Sequence, residues 1–143
     1  MKISTKGRYA LRFMLDLALH DGYGPVALAE ISRRQDISEK YLEQIIRALN
    51  RANLLESVRG AGGGYLLNRD PDEYTVGEIL RATEGDLSPV ACAGEGAKCC
   101  REDRCATVDL WRKIREAVNG VVDSVTLQDL VENHRAKCPE DMG

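Results

Sequence analysis

The chain has few aromatic residues: one Phe, one Trp and five Tyr among 143. Its core must therefore come from Leu, Val, Ile and Ala, a set that suits packed helices. No apolar run approaches the roughly 20 residues that a membrane-spanning helix needs. The opening segment MKISTKGRYALRFMLDLALHDG begins with positive charge, but Arg12 and Asp16 interrupt the apolar stretch of a signal peptide. A cytoplasmic protein with no membrane partner is expected. Cysteine is absent from the first 91 residues, and the five present are an odd number. That argues against a disulfide framework in a reducing compartment and points to ligands or redox thiols. Missing too are a Ser/His/Asp set, a paired-carboxylate pocket and a nucleotide loop, so no enzyme is expected.

What is present suits one globular domain, alone or with an appended element, at 43% hydrophobic and 30% charged residues. The net charge of −3 is unevenly placed. Residues 1–70 hold eleven Lys and Arg against eight acids, whereas residues 71–143 hold nine against fifteen. A polyanionic partner would belong to the basic front half.

Helical periodicity opens early, with Ser4 or Thr5 as cap and Leu11, Met14, Leu15, Ala18 and Leu19 on one face. VALAEISRRQD predicts a second, short helix, and Ser38 caps a third over EKYLEQIIRALNRANLL. The third buries Leu42, Ile45, Ile46 and Leu49 and shows Lys40, Tyr41, Glu43, Gln44, Arg47 and Arg51 outward. Such a pair, its second helix polar and basic outside, reads as a helix-turn-helix. LLESVRG and YLLNRD then predict two strands around a glycine turn. TVGEILRATEG predicts a helix with a Thr75–Glu78 capping box, ended by Gly85. Residues 86–105 lose periodicity, ATVDLWRKIREAVNGVVDSV restores it, and a short helix capped by Thr126 precedes a polar tail.

The stretch RGAGGGYLL, residues 59–67, sets four of the thirteen glycines in five positions. A phosphate-binding loop would need a Lys and a hydroxyl after the glycines, or a third correctly spaced Gly, and a helix starting there. None follows; Tyr65 continues as a strand. The glycines are read as a wing tip, where Gly62 and Gly63 approach a DNA minor groove and Arg59 enters it.

These blocks, KGRYALRFMLDLAL, ISEKYLEQIIRALNRANLLESVRGAGGGYLL, TVGEILRATEG and DLWRKIREAV with TLQDL, resemble the IscR/NsrR/CymR family of bacterial transcription regulators. The likeness spans residues 1–133 and is nearest to the IscR subgroup, through RYA, RGAGGGYLL and the cysteine loop before LW. It implies a mainly α fold with a small β-hairpin, a winged helix-turn-helix carrying a long C-terminal dimerisation helix. The parts are a DNA-binding domain over 1–85, a cysteine-rich loop over 86–105, and the dimerisation helix with tail over 106–143. Carried over by position, the resemblance implies DNA contacts at Lys40, Tyr41, Glu43, Gln44 and Arg59. Chemically, Gln44 suits adenine, Glu43 a cytosine amino group, and Lys40 and Arg47 phosphate or guanine.

Cys92, Cys99, Cys100 and Cys105 lie within fourteen residues, with gaps too irregular for a zinc knuckle and suited to an iron–sulfur cluster. The core set is Cys92, Cys99 and Cys105, with Cys100 as an alternative to Cys99 or as fourth ligand. Spacing leaves two-iron against four-iron open; the IscR likeness implies [2Fe-2S]. In that subgroup a His stands three positions after the last cysteine, where this chain has Val108. The NsrR alternative, an acid near the N-terminus, meets Arg8 instead. Asp109, Glu43, His134 and Cys138 stay open as donors beside Cys100. The apolar stripe Leu110, Ile114, Ala117, Val118, Val121, Val122, Val125 predicts pairing with a second copy, hence a homodimer on near-palindromic double-stranded DNA. Three functions fit: a cluster-sensing regulator, a cluster-free thiol- or partner-sensing repressor of CymR type, and an iron–sulfur protein that does not bind DNA.

Overall fold

The computed structural model describes residues 2–99 and 101–141. Among them are six α-helices and one two-stranded antiparallel sheet: α1 Thr5–Leu19, α2 Leu28–Gln35, α3 Glu39–Arg51, β1 Leu55–Val58, β2 Gly64–Leu67, α4 Val76–Glu84, α5 Val108–Ser124 and α6 Leu127–Lys137. The mainly α fold with a small hairpin is as expected. Local chemistry starts the helices: Ser4, Ser38, Thr75 and Thr126 each accept a backbone N–H from the first turn that follows. Two details differ from expectation. At α4 only half of the capping box forms, because the Glu78 carboxylate turns to Arg69 at 3.0 Å. The full box is at α6, where Asp129 returns a bond to the Thr126 N–H.

The second helix starts at Leu28 rather than Val26. Val26 instead makes a bridge with Tyr65, exchanging two backbone hydrogen bonds of 3.0 and 2.9 Å. The wing is thereby clipped to the start of the helix-turn-helix. Its strands pair from Leu55 with Leu67 to Val58 with Gly64. The open end is tied by Tyr74, wholly buried, whose hydroxyl lies 3.0 Å from the Leu54 carbonyl and 2.8 Å from Asn68 Oδ1, and accepts the Asn68 N–H at 2.9 Å.

One core unites α1, α2, α3, α4 and α6, with Phe13, Leu17, Ile31, Leu42, Ile45 and Ile79 meeting Leu127 and Val131. The last helix thus packs beside the first. A smaller cluster sets Val76 and Leu80 of α4, with Leu87, against Val118 and Val122 of α5. Helix α5 otherwise buries little: Leu110 is 51% and Val121 63% exposed. No helix of the described residues is long and apolar enough to cross a membrane.

Arg81 ties α4 to α5, donating to both Asp123 oxygens (2.6 and 3.0 Å) and to Asn119 Oδ1 (2.8 Å). The Arg81 hydrogen bonds hold the Asp123 carboxyl below its ordinary value. A carboxyl depressed on folding stabilises above the unfolded value of about 4 and stops doing so as pH falls through the lower, folded value. Both partners are substantially exposed, so the contribution is at most about 1 kcal/mol. Asp123→Asn should therefore lose stability in urea at neutral pH, and the deficit should shrink as pH falls through the lowered, folded value of the Asp123 carboxyl. An equal deficit at neutral and acid pH would contradict this assignment.

Candidate nucleic-acid interface and cysteine loop

The turn between α2 and α3 is short and internally bonded. Asp36 takes a left-handed conformation (φ 53°) to end α2, Ser32 Oγ donates to the Ile37 carbonyl at 2.6 Å, and Ser38 opens α3. Ile37 is buried, which sets the crossing of the two helices. Buried charge locks α2 to α1. Asp16, 1% exposed, accepts from Arg34 Nη2 (2.7 Å) and Nε (3.0 Å) and from Gln35 Nε2 (3.0 Å). His20, at the end of α1, keeps Nδ1 within 2.7 Å of the Asp16 carbonyl and 3.5 Å of its carboxylate.

On α3, Lys40, Glu43, Gln44, Arg47 and Arg51 are exposed. Lys40, Gln44, Arg47 and Arg51 are spaced four, three and four apart and so form one stripe along the helix. Tyr41 is half-buried, its ring edge-on to Tyr9 of α1 with centroids 5.8 Å apart. At the wing, Arg59 and Gly62 are exposed and Gly63 half-exposed. Gly60 and Gly62 turn the chain with φ of 93° and 75°, and the Gly63 N–H returns to the Gly60 carbonyl at 3.0 Å. Lys6 of α1 was no sequence candidate, yet it lines a cleft with Gln44, Arg47, Asn50 and Arg51. Nothing local distinguishes it from other surface lysines.

Among the described residues of 86–105 the regular structure is short 3-10 turns at Ala91–Ala93 and Glu102–Arg104. Asp86 anchors the start, accepting from the Glu95 N–H (2.8 Å) and the Ser88 N–H (3.0 Å), with Arg115 Nε at 3.7 Å. These contacts, that from Glu95 foremost, hold its carboxyl below the ordinary value. Cys92 is exposed, and Cys99 and Cys105 are half-buried. The Cys105 Sγ lies 3.4 Å from the Thr107 hydroxyl, and this contact above all lowers its pKa. The Arg101 N–H lies 3.4 Å from Cys99 Sγ. Cys100 lies outside the described residues. Among those described, no three cysteine thiols come within 4.8 Å of one another. The donors match thiolate ligation in chemistry: several thiols, one of them acidified, on a segment with little regular structure. Val108, three residues after Cys105, is 3% exposed and offers no donor. Asp109 and Glu43 are exposed, while His134 and Cys138 sit at the far end of α6, a helix that packs on α1.

A two-helix unit with a polar outer stripe, followed by a glycine-tipped hairpin, defines a winged-helix DNA-binding protein. The family model of Rrf2, an iron-dependent transcriptional regulator, matches residues 3–133. The chain belongs to the Rrf2 family of transcriptional regulators. It is 46% identical over 133 residues to the HTH-type transcriptional regulator IscR of Serratia proteamaculans, covering 93% of this chain and 80% of that one. Among solved structures it is similar to CymR, the global cysteine regulator of B. subtilis (TM-score 0.80, 44% identity, 93% of this chain and 98% of that chain). It is likewise similar to T. potens IscR (TM-score 0.76, 43% identity, 93% and 88%). The relatives are regulators rather than enzymes, and the chain is a DNA-binding regulator of their kind.

Proposed function

We propose that this regulator carries an iron–sulfur cluster of the [2Fe-2S] type on Cys92, Cys99 and Cys105, and that cluster status sets its affinity for near-palindromic operators, among them those of cluster-biogenesis genes. The observation that carries this is the concentration of thiols on one loosely structured segment between α4 and α5 in a chain akin to IscR. A bound cluster would supply an occupancy- and redox-sensitive centre at that place. Asp86 and Arg115 anchor the segment's start against α5, so a rearrangement that gathers the thiols would act on α5. The outward stripe of Leu110, Ile114, Ala117 and Val121 on that helix favours pairing with a second copy. Two recognition helices would then meet DNA together, with Lys40, Tyr41, Glu43, Gln44 and Arg47 in the major groove and Arg59, Gly62 and Gly63 at the minor groove. With Val108 in the subgroup's His position, the fourth donor is another residue, Cys100 first in order.

Protein purified without oxygen should contain iron and acid-labile sulfide in equal amounts, about two of each per chain. Footprints on the region upstream of its own gene should change when the cluster is removed. Unchanged footprints would refute cluster sensing while leaving DNA binding intact. The separation of the described thiols and the acidified Cys105 favour a second reading, a regulator that senses by thiol oxidation. That function would be established by the absence of iron and sulfide even after reconstitution, together with DNA binding that responds to peroxide.

A further inference from the structure

The cleft between the first turn of α1 and the C-terminal half of α3 has a volume of about 630 Å³ and is lined by Lys6, Gln44, Arg47, Asn50 and Arg51. Three of the five are cations and none is an acid. No ion pair or side-chain hydrogen bond engages any of the five among the described residues. Elsewhere Arg34, Arg69, Arg81, Arg112 and Arg115 each meet a carboxylate, as none of the three cleft cations does. Cations left unpaired side by side repel one another, and an anion seated between them relieves that repulsion.

Geometry says which anion. Helix α3 has 13 residues and is thus about 20 Å long, against a major groove about 12 Å wide. With its N-terminal half at the bases, its C-terminal half reaches the rim of the groove, where the sugar–phosphate backbone runs. Lys6 meets it there from α1.

The position of Lys6 is itself held from elsewhere. Glu84, the last residue of α4, accepts from the Ser4 N–H at 3.1 Å and from the Ser4 hydroxyl. Gly7, buried beside it, leaves the necessary room: a Cβ there would stand 2.4 Å from Glu84 Oε1. One residue clamps the turn that carries Lys6, and two residues later Asp86 anchors the cysteine loop.

We propose that this cleft seats a backbone phosphate of duplex DNA between Lys6, Arg47 and Arg51, and that Glu84 is the positioning residue for its α1 wall. The proposal rests on the DNA-binding reading above and adds to it a sequence-independent contact, joined through Glu84 to the cysteine loop.

Fluorescence anisotropy on the full chain tests it, using a duplex from its own upstream region and a scrambled duplex across a series of KCl concentrations. Lys6→Gln with Arg51→Gln should weaken both duplexes by the same factor. The slope of log K against log salt should become shallower by about 0.9 for each phosphate no longer neutralised. Glu84 gives a test of sign. Glu84→Gln removes a negative charge, but its amide oxygen still accepts from Ser4, so the salt slope should stay as it is. Glu84→Ala removes the clamp and should weaken binding with a shallower slope at temperatures where the chain remains folded. An acid acting only through its charge would do the reverse, both variants binding more tightly; that result overturns the positioning role. An unchanged slope in the Lys6/Arg51 variant overturns the phosphate seat alone. Failure of the unmodified protein to bind either duplex overturns the seat and the DNA-binding reading together.

Discussion

Arg34→Met is expected to lower the unfolding free energy by about 3–5 kcal/mol, the range for stripping one partner from a buried ion pair. Asp16 is 1% exposed and lies beyond the reach of solvent. It is satisfied chiefly by two guanidinium bonds, of 2.7 and 3.0 Å, with Gln35 providing a third donor. Remove the guanidinium and a buried carboxylate is left with one amide hydrogen bond and the His20 ring 3.5 Å away. The damage falls on the α1–α2 junction, so DNA binding should weaken along with stability. The reciprocal truncation should cost less, because the Arg34 side chain is 23% exposed and keeps Glu30 at 2.9 Å. Pairing Arg34→Met with Asp16→Leu should recover most of the loss, since an apolar replacement of both partners leaves no charge uncompensated. Urea titrations followed by circular dichroism decide the matter. A single variant losing under about 1 kcal/mol, or a double variant no better than the single, would refute the assignment.

Gly64→Ala should be the second severe change, costing on the order of 3 kcal/mol from overpacking and backbone strain and reducing affinity for DNA roughly tenfold or more. Gly64 opens β2 with φ 156°, and a Cβ there would stand 2.2 Å from the Val26 carbonyl oxygen and 2.8 Å from the Ala27 nitrogen. Backbone cannot swing aside as a flexible side chain does. The bridge between Val26 and Tyr65 would have to open, freeing the wing from the start of α2. Gly62→Ala provides the contrast. It shares a disfavoured φ, 75°, but has nothing within 4 Å of an added Cβ, so only strain of about 1–2 kcal/mol applies. Thermal unfolding of the two variants would separate them. The account fails if Gly62→Ala proves the more destabilising.

Much of this architecture is legible from neighbouring residues. Helix starts at Ser4, Ser38, Thr75 and Thr126 follow from side chains that bond within three positions. The faces of α3 follow from spacing alone, with Leu42, Ile45 and Leu49 buried and Lys40, Gln44 and Arg47 outside. The wing is legible because glycines followed by a strand, with no helix to face an anion, are incompatible with a phosphate loop. Family membership also rests on sequence blocks of this kind.

Long-range partnerships are another matter, because no periodicity encodes them. Glu78 has the spacing of a capping box and gives its carboxylate to Arg69 instead, for which the folding of the hairpin end is responsible. Asp16 gives no sign in an amphipathic helix that it will be enclosed with Arg34, eighteen residues away. Four thiols close in sequence suggest a ligand set, yet the three described ones are not gathered to ligand distance. Lys6 and Glu84 become neighbours of the DNA face only when α1 and α4 pack. The helices, the wing and the family are written into the order of residues, since these depend on contacts within a turn or two. The buried ion pair, the clip between wing and α2, the docking of α6 beside α1 and the cationic cleft arise from packing across the fold, which brings together residues whose chemistry is ordinary until they meet.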